Sequence, residues 1–197
     1  MPRILAFSDM HMSRRCAAEI RAASADADLV VGAGDFCNGR QGLDEAMDML
    51  WTLLDKAVFV PGNAESAAEL CAVAGEATVL HGQGCELEGL QIFGLGYAVP
   101  VTPFGSWSCD LSEAEAEKML AGTNTCDLLI SHSPPQGIAD RDRSGRSLGS
   151  TAIRAAIERV QPRLVVCGHI HDSWGKTGNI GASPVHNLGP RANWFDL

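Results

Sequence analysis

Ile4-Leu5-Ala6-Phe7-Ser8-Asp9-Met10-His11 is an apolar run that ends in two metal-ligand residue types. The pattern recurs along the chain. Leu29-Val30-Val31 leads into Gly34-Asp35, Val58-Phe59-Val60 into Gly62-Asn63, Leu128-Leu129-Ile130 into Ser131-His132, and Leu164-Val165-Val166-Cys167 into Gly168-His169-Ile170-His171. Short apolar runs bounded by glycine or polar residues predict strands buried on both faces. Carboxylate, amide and imidazole groups at their carboxyl ends predict a cation site at one edge of a sheet, where α/β folds gather ligands. Taken singly, Gly34-Asp35 and Gly62-Asn63 are ordinary turn chemistry. Their order and their common placement carry the reading.

Between the runs lie helical patterns, so the chain alternates as an α/β protein does. Residues 13–25 predict a helix capped by Ser13, and Leu43, Met47, Leu50 and Leu54 predict one apolar face of a helix over 43–56. A short Ala-rich helix is expected over about 65–73, with Glu65 as a first-turn acid. Residues 77–97 predict strands joined by tight turns, with Glu88-Gly89 turning a hairpin. Ser112 and Glu115 have capping-box spacing for a helix over 111–120, and a further helix is expected over 151–160. The tail, around Ile180, Val185–Leu188 and Trp194–Phe195, predicts closing strands. With no linker or internal repeat, residues 1–197 read as one domain.

Bulk composition narrows the function classes. The 197 residues carry a net charge of −9, which argues against non-specific binding to nucleic acid or an acidic membrane surface. Bound cations would make a cluster of carboxylates locally positive, so a phosphate substrate remains compatible. No apolar stretch reaches the ~18 residues that a membrane span requires. The N-terminal residues read as a first strand rather than a signal peptide, and a cytoplasmic setting is expected. The seven cysteines form no C-x-x-C pair and read as free thiols.

The series Asp9-x-His11, Gly34-Asp35, Gly62-Asn63, His132 and Gly168-His169-x-His171 resembles, in order, the motifs of the calcineurin-like metallophosphoesterase family. Ser131-His132-Ser133-Pro134-Pro135 and the Gly149-Ser150 helix start are similar to small bacterial and archaeal members. The resemblance implies a four-layer sandwich, two mixed β-sheets flanked by helices. It also implies two divalent metal ions, one bound by Asp9, His11 and His171, the other by Asn63, His132 and His169, with Asp35 bridging. Asp35, Asn63 and His132 are the catalytic positions it implies, in a hydrolysis where a metal-activated hydroxide attacks the phosphorus of a small phosphate ester. Oxygen and imidazole donors without thiolate suit Mn²⁺, Fe or Zn²⁺. Mn²⁺ is the ion expected to support activity in vitro.

One departure bears on the substrate. The family pattern G-N-H-[DE] reads here Gly62-Asn63-Ala64-Glu65, without the histidine that the family places beside the leaving group. Loss of a positioned acid costs ~10²–10⁴-fold, least for a leaving group already stable as an anion. Small family members that also replace this histidine resemble phosphodiesterases more than monoesterases, so the resemblance implies a phosphodiester substrate. A non-catalytic metal-binding or interaction module on the same fold is the alternative. Asn38, Arg40 and Arg146 are candidate substrate contacts, Ser8 and Ser131 candidate supports of the ligands, and the Phe104–Trp107 loop a candidate wall.

Overall fold

The computed structural model describes residues 1–197. In the first sheet, β1 (Arg3–Phe7), β2 (Leu29–Gly32), β3 (Ala57–Phe59) and β4 (Thr78–Val79) run parallel, and β11 (Asn193–Asp196) adds antiparallel to β1, giving the order β11-β1-β2-β3-β4. The second sheet has six strands in the order β5-β6-β7-β8-β10-β9, comprising β5 (Gln83–Leu87), β6 (Leu90–Leu95), β7 (Leu128–Ser131), β8 (Leu164–Cys167), β9 (Thr177–Ile180) and β10 (Ser183–Asn187). Its central strands β6, β7, β8 and β10 are parallel, and hairpins close both edges.

Strand alternation sorts the apolar side chains into three cores. Ile4, Ala6, Val31 and Val58 face Ile92, Leu128, Ile130 and Val166 between the two sheets. On the outer face of the first sheet, Leu5, Phe7 and Phe59 pack on α1 (Arg14–Ser24), α2 (Leu43–Leu50) and α3 (Ala67–Val73) through Ile20, Met47 and Leu70. Leu129, Val165 and Cys167 do the same on α4 (Glu113–Leu120) and α5 (Thr151–Val160) through Leu120, Ile153 and Ile157. The result is helix, sheet, sheet, helix: the four-layer α/β sandwich of two mixed sheets. Burial on both faces explains why the strands read as unbroken apolar runs.

Caps behave as their residue types dictate. The Ser13 hydroxyl accepts from Cys16 N, and Ser112 and Glu115 form a reciprocal capping box. Leu87 pairs with Leu90 across Glu88 (φ 50°) and Gly89 (φ 73°), the two left-handed positions of a two-residue hairpin. The expected helix over 43–56 divides: α2 ends at Leu50 and a 3₁₀ turn covers Trp51–Lys56. Three residues per turn then bring Leu53, rather than Leu54, onto the buried face beside Leu50. No helix is long and apolar enough to cross a membrane.

Candidate metal centre

All five ligand-bearing turns converge at the carboxyl ends of β1, β2, β3, β7 and β8. Side-chain donor atoms of Asp9, His11, Asp35 and His171 lie within 4.8 Å of one another, and those of Asp35, His132 and His169 form a second such group. Asp35 belongs to both. Its Oδ2 is 3.5 Å from His11 Nε2 and its Oδ1 is 3.5 Å from His132 Nε2. Asn63 Oδ1 joins the second group, 3.2 Å from His132 Nε2.

The ligands do not project from extended strands, as an alternating D-x-H or H-x-H segment would have them do. Asp9 (φ 53°), His11 (φ 46°), Asp35 (φ 58°) and His169 (φ 65°) all adopt the left-handed conformation. Strain of that kind costs ~1–3 kcal/mol per residue and persists where the surroundings over-determine it. The preceding glycines have different duties. Gly34 itself has φ 88°, whereas a Cβ on Gly62 would collide with Asp35 and one on Gly168 with Asp9 and Ser8. Close approach of two ligand turns, not turn flexibility, requires glycine at 62 and 168.

Glu65 is what over-determines the centre. The expectation of a first-turn helix acid is overturned, because α3 begins at Ala67 under a Ser66 cap, with Glu69 in the capping-box role. Glu65 is fully buried instead. Its Oε1 accepts from Asp35 N (2.8 Å) and Gly62 N (2.6 Å), and its Oε2 accepts from Phe36 N (3.2 Å) and Cys37 N (3.4 Å). One carboxylate therefore ties the Asp35 turn to the Asn63 turn. Burial, followed by the nearby Asp35 charge, pushes Glu65 up to about 7 against the pull of these backbone donors. Sequence spacing held one clue: an acid two residues after Asn63, before any helical pattern begins.

Asp9 is held similarly. It accepts from Ser8 Oγ (2.5 Å), the indole Nε1 of Trp174 (3.0 Å) and His169 N (3.0 Å). Burial alone would raise its carboxyl; the neighbouring His171 and His132 imidazoles and the Ser8 hydrogen bond bring it down to about 2. Ser8 Oγ also accepts from Gly189 N, while Ser131 Oγ turns to the Ser133 carbonyl.

The donor set fits divalent cations. His11 Nδ1 meets the Cys37 carbonyl (3.1 Å) and His132 Nδ1 meets the Ala33 carbonyl (2.8 Å). A carbonyl only accepts, so each Nδ1 carries a proton and each Nε2 is directed inward, where the neutral ring offers a lone pair. His11 Nε2 then lies 3.3 Å from His171 Nε2, and His132 Nε2 faces the Asn63 carbonyl oxygen, whose amide nitrogen donates to Ser108 Oγ (3.0 Å). Imidazole nitrogens and oxygens thus converge on common points, an arrangement that suits a divalent cation. Burial and the neighbouring imidazole of His132 push His169 down to about 4, which keeps it in the neutral, ligating form.

A profile described as calcineurin-like phosphoesterase matches residues 2–173. The chain belongs to that family. The family site comprises divalent metal ions, for which the clusters above are the candidate ligands. The UPF0046 protein K07C11.7 of Caenorhabditis elegans is 27% identical over 176 residues, covering 78% of this chain and 60% of the relative, so the chain spans less than two thirds of its length. The fold is similar to that of TT1561 of Thermus thermophilus, with 17% identity, TM-score 0.73 and coverage of 99% and 98% of the two chains. It is also similar to a dimetal phosphatase from Danio rerio, with 14% identity, TM-score 0.65 and coverage of 96% and 88%.

Above the centre opens a pocket of about 560 Å³ with His11, Asp35, Asn63, His169 and His171 at its floor. Phe104 and Trp107 form part of its aromatic lining, and Asp142, Arg146 and Asp172 part of its polar lining. Of the candidate substrate contacts, Arg146 lines this pocket, paired to Asp142 at 3.3 Å. Asn38 sits beside it, donating to the His11 carbonyl (3.4 Å). Arg40 is directed elsewhere, forked onto Glu69 through Nε (2.8 Å) and Nη2 (2.7 Å). His81 packs at a tilt against Tyr97 and His186 lies against Phe195, neither of them lining the pocket.

Proposed function

We propose that this chain hydrolyses small phosphodiesters with two divalent cations, Mn²⁺ serving in vitro and Fe or Zn²⁺ compatible with the donors. The observation that carries the reading is Asp35, whose two carboxylate oxygens face one imidazole cluster each. In the proposal Asp9, His11 and His171 hold one ion, Asn63, His132 and His169 the other, and Asp35 bridges them. Bound ions of this kind activate a water and neutralise charge on the attacking and leaving oxygens.

The chain's own residues account for the rest. Asn63 and His132 orient the phosphate side of the centre, and Glu65 keeps the Asp35 and Asn63 turns at fixed separation. Arg146 is the retained candidate for a phosphate oxygen. The diester preference has two supports. Of the six histidines, four are in the clusters and the remaining two, His81 and His186, lie outside the pocket, so no imidazole stands in for the acid missing at Ala64. Asp142, held below its ordinary range chiefly by the Ser144 hydroxyl, is ionised at neutral pH and has no proton to give. Asp142 and Asp172 on the wall also repel a monoester dianion more than a diester monoanion.

A cytoplasmic setting is part of the proposal, supported by seven cysteines that are all free. So is a single metallophosphoesterase domain over 1–197, supported by β10 and β11 completing the two sheets beyond the family match. Nucleic acid is not a proposed partner, given the net charge of −9.

The test is direct. Purified protein with Mn²⁺ is expected to hydrolyse bis(p-nitrophenyl) phosphate faster than p-nitrophenyl phosphate, and Asp35→Asn or His171→Ala to abolish turnover. Metal analysis is expected to find about two ions per chain. Full activity in excess chelator, or protein that binds no metal under metal-replete conditions, would sink the reading, the latter in favour of a non-catalytic module.

A further inference from the structure

The pocket's two walls differ in chemistry, and one of them has a use that the hydrolytic centre does not require. Phe104 and Trp107 are 50% and 40% exposed, with rings 5.7 Å apart and within 10° of parallel. Pro100, Val101 and Pro103 extend this apolar lining, while Asp142, Arg146 and Asp172 supply charged groups elsewhere in it. At about 560 Å³ the pocket falls in the range that holds organic ligands, ~300–1,000 Å³.

The aromatic loop is also anchored to the metal centre. Asp110 accepts from Thr102 N (2.9 Å), Thr102 Oγ1 (2.9 Å) and Ser108 Oγ (2.6 Å), closing the loop on one carboxylate. The same Ser108 hydroxyl receives Asn63 Nδ2, and Cys109 N donates to the Asn63 carbonyl (2.9 Å). The parallel rings are thus held at a set position relative to a candidate ligand.

Resting on the phosphoesterase reading, we propose that the substrate's organic arm carries a flat aromatic ring that stacks on the Phe104–Trp107 wall while its phosphate sits over the ligand floor. A parallel aromatic pair offers a face to a third ring that an aliphatic arm cannot exploit equally. Aryl and nucleoside phosphates share this chemistry, and the test separates them.

Diesters that share a p-nitrophenolate leaving group but carry methyl, phenyl or nucleoside-5′ arms isolate the arm's contribution. The phenyl and nucleoside esters are expected to exceed the methyl ester in kcat/KM by about tenfold or more, the scale of one ring stacked on an aromatic side chain. The combined change Phe104→Ala and Trp107→Ala is expected to bring the phenyl-to-methyl ratio near one. A nucleoside ester faster than the phenyl ester marks sugar or base contacts beyond the stack; equality marks the ring alone. Equal rates for methyl and phenyl arms in the native protein, or a ratio that survives the double substitution, would overturn the inference. Calorimetric titration of the Mn²⁺-loaded protein with phenylphosphonate and methylphosphonate decides it without turnover. If no diester is hydrolysed, the hydrolase reading fails, yet tighter phenylphosphonate binding that is lost in the double variant still supports the ring site, and equal binding refutes it.

Discussion

At and beneath the floor of the pocket Asp9, Asp35, Asn63 and His132 are buried, and their turns are cross-tied by Glu65, Ser8, Trp174 and backbone carbonyls. At the wall Phe104 and Trp107 stand half in solvent, and Asp110 gathers the side-chain hydrogen bonds that close their loop. The floor tolerates left-handed backbone at four ligands because its hydrogen bonds leave the turns no alternative. The wall is tied to the floor through Ser108 and Cys109, but its two half-exposed rings are the cheaper part of the molecule to vary. Chemistry common to a family belongs on the first surface, and substrate choice belongs on the second.

Glu65→Gln is the strongest way to break this contrast. Both Glu65 oxygens accept from backbone N–H groups, so an amide NH₂ must face a buried donor whichever way it turns. A loss of about 2–3 kcal/mol is expected in chemical denaturation, with Tm lower by roughly 4–10 °C. Metal affinity is expected to fall ~10–100-fold, as for other groups that orient ligands. An unchanged denaturation midpoint would mean that Glu65 does not hold the floor together.

Asp110→Asn applies the same chemical change at the wall and is expected to act differently. Stability should shift by less than about 1 kcal/mol at this half-exposed site, whereas KM for an aromatic diester should rise roughly fivefold. Steady-state kinetics beside thermal melts separate the two outcomes. A large melt shift with unchanged KM would place Asp110 with the floor.

Arg40→Ala probes a residue that belongs to neither. Its partly exposed pair with Glu69 is worth about 0.2–1 kcal/mol, and no KM effect is expected. The Arg40 hydrogen bonds hold the Glu69 carboxyl down to about 2, against an ordinary value of 4.5. A depressed carboxyl contributes above its unfolded value and loses that contribution as pH falls toward the folded one. The stability difference between native and Arg40→Ala protein should therefore be constant above about pH 5 and vanish near pH 2, measured by denaturation across that range.

Apolar runs ending in ligand-type residues indicated the strands and the placement of candidate ligands at their carboxyl ends, because strand burial and metal coordination both act through residue type at fixed local spacing. That those ends come from two sheets rather than one edge of a single sheet was decided by the packing. Ser13, Ser112 and the Glu88-Gly89 turn were legible for the same reason: each partner lies within three residues. Glu65 was misread because three of its four backbone partners, at 35–37, lie 28 to 30 residues away and no local rule connects them. Arg40 looked available until Glu69, 29 positions on, was brought against it. The left-handed ligand turns and the Phe104–Trp107 wall likewise depend on segments far apart in the chain. Only when the two sheets pack does Asn63 meet Ser108, and that contact, rather than any motif, decides what stands over the metal centre.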